Sequence, residues 1–125
     1  MKLFRRAGTP GSIGSRMEAR AADFLQQAGL RIAARNYRCR RGEIDLVAWE
    51  GDTLVFVEVR FRRNSHFGTA GASVDRQKQR KLLAAAESYL VEHRLDCQCR
   101  FDVVAIDGEA EQIDWITGAF AGEPS

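Results

Sequence analysis

Residues 42–62, GEIDLVAWEGDTLVFVEVRFR, hold two runs rich in Val, Leu, Ile, Phe and Trp on either side of Glu50-Gly51-Asp52-Thr53. Each run has the length and side-chain type of a strand, and Gly at the first central position of a two-residue loop favours a type II′ hairpin. A two-stranded ribbon does not hold together alone in water. The segments before and after it must therefore supply further strands, and helices to cover its faces.

The turn sets a register. Trp49 lies opposite Leu54, Val47 opposite Phe56, Asp45 opposite Glu58 and Glu43 opposite Arg60. Regular alternation puts these residues on one face, apolar near the turn and acidic away from it. A carboxylate in a strand interior loses hydration. Like charges directly opposite each other destabilise a sheet by up to about 1 kcal/mol. Asp45 against Glu58 is thus a poor choice for a chain that needs only stability. A divalent cation removes the conflict, because Mg²⁺ takes one or two carboxylates together with water and substrate phosphates. Two plainer accounts compete: a register slipped by one residue, and pairing of the acids with Arg60 and nearby Arg.

The flanking pattern predicts the remaining elements. A helix fits 15–28, with Met17, Ala21, Phe24, Leu25 and Ala28 on one face and Gly29 as its stop. Residues 30–39 read as a strand, turned by Arg40, Arg41 and Gly42. Residues 63–73 read as a loop. Ser73 is the expected cap of a second helix that runs to about 93, with Asp75 in its first turn. FDVVAI (101–106) and the weaker QIDWIT (112–117) are two more strands. The order α-β-β-β-α-β-β predicts an α/β fold, a mixed sheet flanked by helices. One domain over 1–125 is expected, with a loose arm at 1–12 and an acidic tail at 118–125.

Two helical residues aim at the same acids. Glu18 lies about 20° round the first helix from Leu25 and flanks its apolar face; an ordinary boundary Glu is the alternative. Lys78 extends the stripe Leu82, Ala85, Ala86, Tyr89 by one turn, so its ammonium either reaches the acid cluster or snorkels to water.

Charge is unevenly distributed. All 19 Lys and Arg lie at or before Arg100, beside 11 of the 17 acids, and the last 25 residues carry six acids and no Lys or Arg. A basic body with an acidic end suggests a polyanion partner. Arg35, Arg38, Arg40 and Arg41 precede the acid strand; Arg60, Arg62 and Arg63 follow it; Arg76, Lys78, Arg80 and Lys81 open the second helix. These groups flank the acids as a phosphate track would, and DNA backbone is the expected partner. No aromatic-interleaved stacking motif supports sequence-specific single-strand reading. Three Cys with C-x-C spacing make neither a disulfide framework nor a zinc ribbon. The first residues lack the apolar region of a signal peptide, and no apolar run approaches the ~20 residues of a membrane helix. A cytoplasmic protein with no membrane partner is expected.

Glu18 on a helix, GEID at 42–45, FVEVR at 56–60, Lys78 and Tyr89 on a second helix, and RFDVV at 100–104 together resemble the uncharacterised bacterial YraN-like proteins. That family is similar to the PD-(D/E)xK nuclease superfamily, close to archaeal Holliday junction resolvases. The resemblance implies a restriction-endonuclease-like core and Mg²⁺- or Mn²⁺-dependent cleavage of phosphodiesters in DNA, branched DNA included. It implies that Asp45, Glu58 and the Val59 carbonyl hold the metal and that Glu18 assists. Resolvases of this type act as dimers, so a homodimer is among the expected partners. Glu43 is read as a supporting residue through water or Arg contacts. The motif calls for Lys where this chain has Arg60. Arg is always charged and cannot act as a base, though it can stabilise developing phosphorane charge. Lys78 is the candidate for the missing ammonium. Two other readings stand beside the nuclease: a non-catalytic DNA-binding or scaffolding protein with the same fold, and a protein-interaction module that pairs through an exposed sheet edge.

Overall fold

A computed structural model describes residues 13–62, 74–108 and 112–120. Two helices, α1 (Ile13–Gln27) and α2 (Arg76–Glu92), accompany five strands: β1 (Arg31–Cys39), β2 (Gly42–Glu50), β3 (Thr53–Arg62), β4 (Gln98–Asp107) and β5 (Gln112–Ile116). The order is α-β-β-β-α-β-β, as the pattern predicts, and it is consistent with a nuclease-like core. The expected arm, Arg63, Ser73 and residues 121–125 lie outside the described residues.

The hairpin forms as its turn dictates. Gly51 has φ +60°, and β2 pairs with β3 from Glu50↔Thr53 through Trp49↔Leu54 and Val47↔Phe56 to Leu46↔Val57. The sheet order is β1-β2-β3-β4-β5. β3 and β4 run parallel, and the other neighbours run antiparallel. A parallel pair needs a crossover, and α2 provides it. The helices cover opposite faces. Ala21, Ala22 and Leu25 of α1 bury against Leu46, Ala48, Val55, Val57, Val104 and Ile106. Leu82, Ala85, Ala86 and Tyr89 of α2 bury against Val47, Leu54, Phe56, Phe101 and Val103.

Both helix ends carry their signals. Gly29, at φ +104°, closes α1, and the Leu30 N–H reaches back to the Leu25 carbonyl at 3.0 Å in a Schellman motif. The cap of α2 is Asp75 rather than Ser73: its carboxylate accepts the Lys78 N–H at 2.8 Å. Asp in place of Ser suits the helix dipole as well as the hydrogen bond. The expected tail also begins later than 118. The Ala119 N–H donates to the Phe101 carbonyl at 2.8 Å, and the Phe120 ring stacks on Phe101 at 4.8 Å.

Asp102 ties this end of the sheet together. It is 1% exposed. Its carboxylate accepts from Arg100 Nε at 2.9 Å and Nη2 at 3.0 Å, from Trp115 Nε1 at 2.9 Å and from the Gly118 N–H at 3.0 Å. Arg100 also holds Glu50 at 2.6 Å. A buried carboxylate with four donors and a cation is satisfied, and it fastens β5 and the following turn to β4. Asp102→Ala leaves Trp115, Gly118 and Arg100 without their acceptor and is expected to cost about 3–5 kcal/mol. A urea titration checks this: the midpoint falls at unchanged slope, and a loss under about 1 kcal/mol would mean that Asp102 is only a surface-type pair.

Candidate active site

The β2–β3 ladder stops at Leu46↔Val57. Beyond it the Val59 N–H donates to Asp45 Oδ2 at 2.8 Å. A side chain has entered the ladder where the next carbonyl would be. The neighbouring strand accommodates this. The β1–β2 register, Ala34↔Val47 through Cys39↔Gly42, sets Asn36 across from Asp45, and Asn36 has φ +53°. Asn is one of the few non-glycine residues that takes this conformation at modest cost. Ile44 and Val47, three residues apart, both pack on the α2 side, as do their partners Tyr37 and Ala34. Regular alternation would put residues three apart on opposite faces. Both strands therefore change phase at Asn36 and Asp45. The expectation that Asp45 shares a face with Val47 by simple alternation is corrected here: Asp45 sits at the phase change, and its carboxylate lies against the β3 backbone.

Four further side chains converge there. β3 keeps its alternation, so Glu58 follows Leu54 and Phe56 onto the α2 face, where its side chain is 11% exposed. Lys78 Nζ is 3.5 Å from Glu58 Oε2. Asp75 makes this possible, because it caps α2 at Lys78 and starts the helix beside the acids. Arg60 Nε lies 4.0 Å from the same Glu58 oxygen. Glu18 of α1 hydrogen-bonds Asp45 from the other layer. A hydrogen bond between two carboxyl groups requires a proton on one of them. The structure thus brings together Glu18, Asp45, Glu58, Arg60 and Lys78, five residues scattered over 60 positions of the chain.

The electrostatics are those of a strained pair. Burial raises the Asp45 pKa above the ordinary carboxylate range, against the lowering effect of the Val59 N–H and Lys78. Burial also raises Glu58, reinforced by the charge of Asp45 and opposed by Lys78 and Arg60. Among the described residues no group of three or more His, Cys, Asp and Glu is placed to hold a metal ion. Two hard-oxygen carboxylates that repel each other do fit Mg²⁺ in its common mode, with water and substrate oxygens completing the shell.

The other expected residues divide. Glu43 pairs with Arg38 at 3.2 Å, side chain to side chain on neighbouring strands, rather than with Arg60. Arg38, Lys78 and Lys81 line one cleft beside Gly42 and Glu43. Arg40, Arg76 and Arg80 are exposed. Arg41 pairs with Glu87 at 3.2 Å. Arg62 is 10% exposed and pairs with Asp114 of β5 at 2.7 Å, which sets it apart from the cleft. Tyr89 is a core residue, in edge contact with Tyr37 and Phe56. Cys39, Cys97 and Cys99 are free thiols. Among the described residues no helix is long and apolar enough to cross a membrane. Asn36 is not among the residues the sequence singles out, and Gly42 is expected there only as a turn residue. Asn in mid-strand was the available signal for the first. The second need for Gly42 is tertiary and has no local signal: a Cβ there would lie 2.8 Å from the Lys81 carbonyl oxygen.

The model of uncharacterised protein family UPF0102 matches residues 17–106, a span that holds every one of these converging residues. The chain belongs to that family. A UPF0102 protein of Methylococcus capsulatus is 52% identical over 112 residues, covering 88% of this chain and 91% of its own. One from Nitrosomonas europaea is 51% identical over 111 residues, with 88% and 94% covered. One from Psychromonas ingrahamii is 46% identical over 120 residues, with 96% and 98% covered.

Because both carboxylates are raised, the folded state binds protons more tightly than the unfolded chain. The stability this confers is complete below the ordinary carboxylate pKa and is lost as pH rises through the raised values. Asp45→Asn keeps an acceptor for Val59 and removes one charge. It is expected to raise Tm by a few degrees at pH 7, because it removes a carboxylate charge that burial disfavours. The gain should fade as pH falls towards 4. Scanning calorimetry across that range checks it; a variant less stable than wild type at pH 7 would show that the pair is not strained.

Proposed function

We propose that this protein is a metal-dependent endonuclease that hydrolyses phosphodiesters in double-stranded or branched DNA. The observation that carries the reading is the convergence of Asp45, Glu58, Glu18 and Lys78 at the break in the β2–β3 ladder. Two helices and two strands are arranged to hold like charges together at some cost to the fold, which suits a site that binds a cation and a polyanion.

Asp45 and Glu58 would hold Mg²⁺ or Mn²⁺, with the Val59 carbonyl as a further ligand. When bound, the metal supplies Lewis-acid polarisation of the phosphoryl group and makes water a usable nucleophile near neutral pH. The chain's own residues do the rest. Glu18 fixes the Asp45 carboxyl through their hydrogen bond. Glu58 holds the Lys78 ammonium at the site. Lys78, on α2, takes the place of the motif lysine that β3 lacks, and it orients the attacking water or neutralises a non-bridging phosphoryl oxygen. Arg60, always cationic, stabilises charge as it develops on the phosphorane. The substitution of Arg60 for Lys moves the positioning role to the helix rather than removing it.

Labelled duplex, flap and four-way-junction DNA incubated with Mg²⁺, Mn²⁺ or EDTA test this. Metal-dependent cutting is expected, abolished by Asp45→Ala. Lys78→Ala should lower the rate about 10²-fold or more with an unchanged melting profile, and Lys78→Arg should restore part of it. Full activity in Lys78→Ala would remove Lys78 from the mechanism. Binding without cutting, equal in wild type and Asp45→Ala, would favour the non-catalytic DNA-binding reading.

A further inference from the structure

A cleft of about 370 Å³ lies beside the acid pair, between the β1–β2 turn and the first turns of α2. Among the described residues its polar wall is Arg38, Glu43, Lys78 and Lys81: three cations and one carboxylate. Lys78 belongs to both places, since it lines the cleft and contacts Glu58. A second hollow on the outer side shares Lys78 and Lys81 with Asp75 and Gln77. The two lysines therefore make one cationic ridge along α2.

Three features make this a built surface. Gly42 lets the α2 backbone at Lys81 come within 2.8 Å of where a Cβ would be, which fixes the cleft's width. Among the described residues no acid pairs with Lys81. Arg38 is held by Glu43 at 3.2 Å, with both side chains more than half exposed, at 52% and 56%. Such a pair contributes at most about 1 kcal/mol. A phosphate, which takes two parallel N–H bonds from a guanidinium, can displace it. Its described polar lining is charged, which suits recognition of a phosphate charge.

We infer that this cleft seats the DNA backbone phosphate adjacent to the one at the acid pair, with Lys81 and Arg38 as its grip and Glu43 as a gate that releases Arg38 when the strand arrives. The choice of DNA rests on the function proposed above. Lys78 and Lys81 are one turn apart, about 5–6 Å between Cβ atoms, which is the scale of one phosphate-to-phosphate step. Lys78 then serves the phosphate at the acids and Lys81 the next one. Glu43 disfavours anions too small to replace its contact with Arg38.

Binding is measured by fluorescence anisotropy on a labelled duplex in EDTA, so that no cutting intervenes. Lys81→Gln should weaken binding several-fold and reduce the slope of log affinity against log salt by about 1. Glu43→Gln should tighten it. Duplexes with and without a 5′-terminal phosphate should bind alike; a marked gain from the terminal phosphate would overturn the internal seat in favour of a strand-end pocket. Wild-type affinity in both variants would overturn the cleft proposal and leave the nuclease reading standing. If wild type binds no DNA in EDTA or with Ca²⁺ as the divalent cation, the nuclease reading fails, and the cleft is judged by NMR titration with inorganic pyrophosphate. Shifts at the Gly42 and Lys81 amides that vanish in Lys81→Gln would support a phosphate seat. Unmoved amides would overturn it.

Discussion

The hydrogen bond from the Val59 N–H to Asp45 sets the geometry of everything around it. A strand amide in mid-sheet is an obligatory donor, and its ordinary partner is a carbonyl of the next strand. Here a carboxylate accepts it at 2.8 Å. To reach that position β2 must change phase, and β1 must follow with Asn36 at φ +53°. The ladder ends, the strand ends part company, and the acids gain access to both helical layers. Glu18 enters from α1 and Lys78 from α2. Without the phase change Asp45 would be one more residue on the α2 face, and Glu18, from the opposite layer, would have no route to it.

The second constraint is the close packing of α2 on the β1–β2 turn. A helix approaching a turn is normally kept off by Cβ atoms. Gly42 removes that obstacle, and the Lys81 backbone occupies the space. The Asp75 cap then fixes where the helix begins, so that Lys78 faces Glu58 and Lys81 faces the cleft. One glycine and one cap thereby set the positions of two cations. These are backbone constraints, so the cations hold their spacing whether or not a ligand neutralises them.

Much of this arrangement was legible in the chain. The Gly51-Asp52 turn determined the hairpin register, and alternation placed the apolar pairs Trp49/Leu54 and Val47/Phe56 correctly, because each is a local rule with a single period. Helical periodicity carried Glu18 and Lys78 towards the acids for the same reason. What the chain did not reveal was the fate of each charge. Arg38, Arg41 and Arg62 look alike in sequence, yet one lines the cleft, one pairs across to α2 and one is buried against β5. Partner choice depends on strand order, which no local period encodes. The phase change at Asp45 was hidden too, since it needs Asn36 and Asp45 in register, and that register is fixed by a bulge earlier in β1.

The two kinds of buried acid in this sheet show where the fold serves itself and where it serves something else. Asp102 receives four hydrogen bonds and the charge of Arg100, and its surroundings leave it nothing further to bind. Asp45 and Glu58 are pushed towards the protonated form by burial, a shift that Lys78 opposes at both without cancelling it. The same chain that satisfies one carboxylate completely has 16 Arg from which to satisfy the others. Among the described residues it instead offers Glu58 one lysine at 3.5 Å and one arginine at 4.0 Å, the latter at the limit of an ion pair. The proposed metal site rests on that imbalance, and the proposed phosphate seat rests on the cations of the cleft beside it. Under-neutralised carboxylates next to a cationic cleft are what the proposed function is built on.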